Sequence, residues 1–160
     1  MVYSLQTDSW KIHRYHGRYP EDRYHSVLVN NQLHWKWNVR KIPSFDLHDE
    51  QCTEVSLPPY DSRDLESRSL EVLDDCLCAT ISISPFCDDG EGYSDIWIMK
   101  EYGIEESWAK VYTFPYYEVI PLGRWNGGCE VLFSNYRDRV LFLWNSQLKT
   151  TREIDDLPMS

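Results

Sequence analysis

Ile96-Trp-Ile-Met-Lys-Glu-Tyr-Gly-Ile-Glu-Glu-Ser-Trp108-Ala-Lys-Val111 decides the fold of this chain. Apolar and aromatic residues open the segment, a polar stretch from Lys100 to Ser107 breaks it, and Trp108 starts a second apolar run. The stretch between Tyr102 and Lys110 is too short for a stable helix and reads as the turn of a hairpin. The same plan recurs in Val2–Ile12, Ile42–Val55 and Val140–Ile154. Three further hairpins fall between these, Ser26–Trp35, Leu70–Ala79 and Glu130–Phe142. Two of them turn on Asn30-Asn31 and Asp74-Asp75, residue types that tolerate the positive φ of a tight hairpin turn.

From Val2 to Ile42, Ile42 to Ile96 and Ile96 to Val140 the intervals are 40, 54 and 44 residues. A four-stranded propeller blade occupies about 40 to 50 residues, so the long second interval is assigned a loop insertion near Asp61 to Ser69. The expectation is an all-β, partial β-propeller, kelch-like array of three to four antiparallel four-stranded blades. One domain is expected over residues 1–160, with seven Trp and eleven Tyr as bulky core material. Propellers remove their unpaired edges by closing on about four or more blades, and strand-like sequence follows Met1 at once. The expectation is therefore the C-terminal part of a longer architecture.

The net charge of -10 is unevenly placed. Residues 1–41 carry seven Lys or Arg against three Asp or Glu, and residues 42–160 carry nine against twenty-three. This acidity argues against nucleic acid or an anionic membrane as partner, since both need neutralising cations. The basic and aromatic stretch from His13 to Tyr19 is read as a solvated loop. Cys52, Cys76, Cys78, Cys87 and Cys129 form no Cys-x-x-Cys pair, and no run is long enough to span a bilayer, which predicts a cytoplasmic or nuclear protein.

No catalytic constellation emerges, so no enzyme activity, cofactor or metal is expected. Cys76 and Cys78 share a strand face without a ligand pair at metal spacing and read as buried thiols. His13 and His16 lack an acidic partner, and Asp88–Asp95 lacks the alternating ligands of a calcium loop. Trp10, Trp97, Trp108 and Trp144 recur in the repeat and are expected between blades.

Tyr3-Ser-Leu-x-Thr-Asp-Ser-Trp10, Val29-Asn-x-x-Leu-His-Trp35, Ser44-Phe-Asp-Leu47, Leu57-Pro58, Val72-Leu-x-x-Cys-Leu-Cys78 and Asp95 to Trp108 together resemble the F-box-associated domain of plant F-box proteins. The resemblance runs over essentially the whole chain in the family's order. It includes the S-locus F-box-like subset, which these motifs do not separate from other members. Asp74-Asp75 stands where the family has Gly-Gly, and Asn31 where it has Gly. The resemblance implies a substrate-recognition module of an SCF-type ubiquitin ligase that binds a target protein for ubiquitination. A Skp-type adaptor and a cullin would join only if an F-box were supplied upstream.

Recognition is then expected on loops that differ between blades: His13–Arg23, Tyr60–Arg68, Cys87–Tyr93 and Phe114–Asn126. The last is richest in the residue types of binding hot spots, and Tyr116, Tyr117, Arg124 and Trp125 are its candidate contacts. Two other readings stand beside this one: a truncated, inactive or competitor fragment, and a propeller-fold enzyme or sugar-binding protein.

Overall fold

The computed structural model describes residues 2–5, 7–12, 25–35, 41–60, 67–84, 92–135 and 137–154. Three four-stranded antiparallel sheets follow one another along the chain, each in sequential strand order. The first holds β3 (Ser26–Val29), β4 (Gln32–Trp35), β5 (Lys41–Asp46) and β6 (Cys52–Ser56). The second holds β7 (Ser67–Leu73), β8 (Cys76–Ile83), β9 (Tyr93–Met99) and β10 (Trp108–Phe114). The third holds β11 (Val119–Trp125), β12 (Glu130–Asn135), β13 (Val140–Asn145) and β14 (Thr150–Glu153). A two-stranded hairpin, β1 (Val2–Ser4) with β2 (Ser9–Lys11), precedes them. Lys11 of this hairpin pairs at 2.8 Å with Glu50 in the β5–β6 turn. β7 lies against both β3 and β11, so the first strand of each sheet is innermost and the sheets are blades. This is the expected partial β-propeller-like array.

Blade faces alternate with a period of two, which makes each blade apolar on both sides and gives one core per blade junction. Val29, Ile42, Val55, Leu77, Ala79, Met99 and Trp108 fill the junction of the first and second blades. Between the second and third blades, Phe114 sits 4.6 Å from Phe133, and Phe133 stacks on Phe142 at 5.5 Å. Cys78 is buried there, as read from the sequence, whereas Cys76, read likewise as buried, is only partly so beside it; burial pushes the Cys78 thiol far up, leaving it unreactive. The Trp108 indole is 6% exposed and donates to the Ser56 carbonyl at 2.8 Å across the first junction.

The turns divide into two kinds. Asn30, Asn31, Asp74 and Asp75 all take φ between 50° and 60°, the positive values expected for two-residue hairpin turns. Three longer turns share another geometry: Asp46, Asn135 and Asn145 accept backbone N–H groups two and three residues on, and Glu50, Arg139 and Lys149 close the turns at φ of 53°, 56° and 52°.

Four sequence expectations change. Phe114–Asn126 is no loop but the end of β10, a tight turn and strand β11. Pro121 and Gly123 disguise that strand; both are tolerated because β11 is an edge strand with a bulge between Pro121 and Gly123, where Gly123 takes φ of 150°. Accordingly Glu130–Phe142 and Val140–Ile154 are not separate hairpins, since they share β13. Trp10 is 66% exposed and rests on Tyr3 at 5.0 Å instead of entering a blade junction. Asp95 is a buried strand residue holding Lys110 at 2.9 Å and Thr113 at 2.5 Å, not part of a solvated loop. His13–Arg23, including His13, His16 and the basic stretch, together with 61–66 and 85–91, which contain Cys87 and the first half of Asp88–Asp95, lie outside the described residues.

Candidate protein-interaction surface

Antiparallel order places the connections at two opposite ends of the blades. One end carries the turns at Asn30-Asn31, Asp46–Glu50, Asp74-Asp75, 100–107, 126–129 and 145–149. The other carries the β10–β11 turn at 115–118 and the β12–β13 turn. The four sequence candidates are therefore split. Tyr116 and Tyr117 precede β11, while Arg124 and Trp125 end it, about 20 Å away at ~3.3 Å per residue.

At the first end Arg124 is tied down. Its Nε donates to Asp74 Oδ1 at 2.7 Å and its Nη2 to Asp74 Oδ2 at 2.5 Å, and Nη1 donates to the Gly128 carbonyl at 3.2 Å. The guanidinium holds the Asp74 carboxyl below its ordinary value, and the carboxylate in turn raises Arg124. A fork clamped across two blades works as a strut. Trp125 beside it remains 47% exposed.

At the second end the Tyr116 turn is built rigidly while its ring stays accessible. Buried Ser94 donates to the Tyr116 carbonyl at 2.8 Å, accepts the Val119 N–H at 3.3 Å, and meets the Ser82 hydroxyl at 2.8 Å. The Tyr116 ring leans on Phe142 at 5.9 Å and is 42% exposed. A groove of about 370 Å³ opens beside it, bounded by the β12–β13 turn and by β14. Asp138 and Glu153 line it together with Thr151 and the two rings. Asn135 holds Asp138 in place, donating from Nδ2 at 2.7 Å while its Oδ1 accepts the Asp138 N–H at 3.2 Å. Nothing in the sequence announced this groove, because Glu153 enters it only through its pairing opposite Phe142.

Burial also shifts Glu71 and His34 inside the array. Glu71 on β7 is pushed up to about 7 by burial, opposed by His25 and Ser69. His34, fully buried at the first junction, is lowered by desolvation; its Nδ1 lies 3.3 Å from the Val27 carbonyl and its Nε2 2.7 Å from the Tyr102 hydroxyl. These side chains lie apart from the groove, and no group of three or more His, Cys, Asp or Glu able to hold a metal ion exists among the described residues. No helix among them is long and apolar enough to cross a membrane.

Residues 1–153 match the F-box associated beta propeller domain. The chain belongs to that family. It is 32% identical over 130 residues to the Arabidopsis thaliana F-box protein At3g07870, covering 78% of this chain and 27% of that protein. Against F-box protein CPR1 of the same plant it is 33% identical over 135 residues, covering 70% of this chain and 30% of the relative. F-box protein At4g22390 gives 30% over 133 residues, 71% of this chain and 31% of the relative. The chain thus spans under a third of the length of the curated relatives it matches. The family and these names point to an interaction domain of plant F-box proteins.

Proposed function

We propose that this array is the target-recognition part of an SCF-type ubiquitin ligase receptor, holding a protein for ubiquitination and performing no chemistry itself. The observation that carries the reading is the family match over residues 1–153, with its relatives named as F-box proteins. The rigid Tyr116 turn beside an open groove supports it, because a preorganised surface loses little entropy on binding. The module's contribution is proximity: it raises the effective concentration of the target's lysines near a ubiquitin-loaded enzyme. A Skp-type adaptor and a cullin join through an F-box upstream of the array, and the complex works in the cytoplasm or nucleus without nucleic acid, membrane or cofactor.

The test is immunoprecipitation of the endogenous protein followed by mass spectrometry. Recovery of the Skp-type adaptor and cullin is expected. If the protein is abundant and neither comes with it, the ligase role fails and the chain acts as a competitor fragment.

A further inference from the structure

We propose that the groove beside Tyr116 seats a basic side chain, Lys or Arg, from an extended segment of a partner polypeptide lying along β14. This rests on the target-recognition reading above and narrows it to one place and one chemistry. The groove has the size of a ligand site and a mixed lining: the Tyr116 and Phe142 rings share it with the Asp138 and Glu153 carboxylates. Neither carboxylate is ion-paired among the described residues, although Arg137 and Arg139 flank Asp138 in the same turn. Elsewhere in the array acidic side chains do find cations: Asp74 holds Arg124, Asp95 holds Lys110 and Glu130 holds Arg152. Two carboxylates and two aromatic rings lining one groove suit an ammonium or guanidinium head, which gains charge-assisted hydrogen bonds and a cation–π contact together.

Geometry and charge choose a polypeptide over a free amine. Among the described residues β14 ends the third sheet, so its outer edge offers backbone groups along which an extended segment adds as a further strand. Thr151 and Glu153 lie two residues apart on it and share the groove face, so side chains of such a segment meet them at the matching spacing. The strong excess of carboxylates after residue 41 favours a basic partner in the encounter as well.

The experiment uses the full chain labelled with ¹⁵N, titrated with an acetylated and amidated Val-Arg-Val tripeptide and with its citrulline counterpart. Expected are saturable shifts of the Tyr116, Asp138, Thr151 and Glu153 amides with the arginine peptide, weakened about tenfold by citrulline or by Glu153→Gln. The spectrum of the free variant reports whether it is folded, and Glu106→Gln, which removes an exposed carboxylate from the turn at the other end of the blades, should retain the arginine preference. Equal shifts with citrulline, or shifts spread over the whole acidic surface, overturn the proposal. Capture of target proteins by the wild type and Glu153→Gln chains separates the two readings. A target held equally by both leaves target recognition standing and removes the groove from it, whereas a target lost only from the variant supports the groove.

Discussion

Arg124 at the end of β11 grips Asp74 in the β7–β8 turn through two parallel hydrogen bonds of 2.7 and 2.5 Å, joining the third blade to the second. Asp74 also sits at φ of 56°, so one residue serves both the turn and the strut. Asp74→Gly eases the turn while deleting the strut, and Arg124→Leu deletes the strut together with the bond to the Gly128 carbonyl. Since both side chains are about a third exposed, their coupling is held to about 1 kcal/mol. A double-mutant cycle by urea melts should return that coupling, and Arg124→Lys should lose most of it because an ammonium cannot form the fork. A coupling near zero would mean that the blades are held by packing alone.

The packing at the same junction is the stronger hold. Phe114 touches Phe133 at 4.6 Å, Phe142 at 5.6 Å and Trp144 at 5.6 Å, so removing it opens a void that three rings cannot fill. Phe114→Ala should cost about 3 to 5 kcal/mol. Trp10→Ser, at an indole that is mostly exposed, should cost under about 0.5 kcal/mol. Thermal melts of the two variants side by side check the contrast.

The same contrast marks how far the sequence could be read. Blade number, the Asn30-Asn31 and Asp74-Asp75 turns and the buried Cys78 all follow from period and residue type, which are local. Strand β11 escaped because Pro121 and Gly123 carry loop signals that an edge strand tolerates. Trp10 misled because repeat position predicts burial only where a neighbouring blade covers it. The groove escaped for a third reason: its Tyr116 lies in the turn between the second and third blades and its Glu153 on the last strand of the third, and only tertiary packing brings them together.

His34 and Glu71 give stability opposite pH slopes. His34 is lowered by burial from its ordinary 6.5, so its contribution is present above about pH 6.5 and is lost as pH falls and the unfolded chain takes up a proton. Glu71 is raised from 4.5 to about 7, so its contribution is present below pH 4.5 and is lost as pH rises through 7. Glu71→Gln should therefore gain about 1 to 2 kcal/mol over the wild type at pH 8, discounted for its partial exposure, and little at pH 4.5. Urea melts between pH 4.5 and 8 check this, and a constant difference across that range would show that Glu71 is not the group titrating.

Tyr102 carries the polar part of the first junction. Its hydroxyl lies 2.7 Å from His34 Nε2 and donates to Gln32 Oε1 at 2.8 Å, so Tyr102→Phe strips a partner from a buried imidazole without changing shape. The expected loss is about 1 to 3 kcal/mol, since a buried group left unpaired costs its desolvation in full. Chemical denaturation of the variant measures it, and a loss below about 0.5 kcal/mol would mean that water replaces the hydroxyl.

The three Asx-headed turns offer a gain. Glu50, Arg139 and Lys149 occupy the left-handed region, where a Cβ crowds the backbone and glycine is unstrained. Lys149 is exposed and in no ion pair among the described residues, so Lys149→Gly removes little except the strain. Glycine also raises the entropy of the unfolded chain, which offsets part of the relief, so the net gain should be about 0.5 to 1 kcal/mol. Lys149→Val should go the other way, because a β-branched side chain tolerates that φ least. Matched thermal melts of the two variants test the sign, and a stabilising valine would show that the turn refolds into a different geometry.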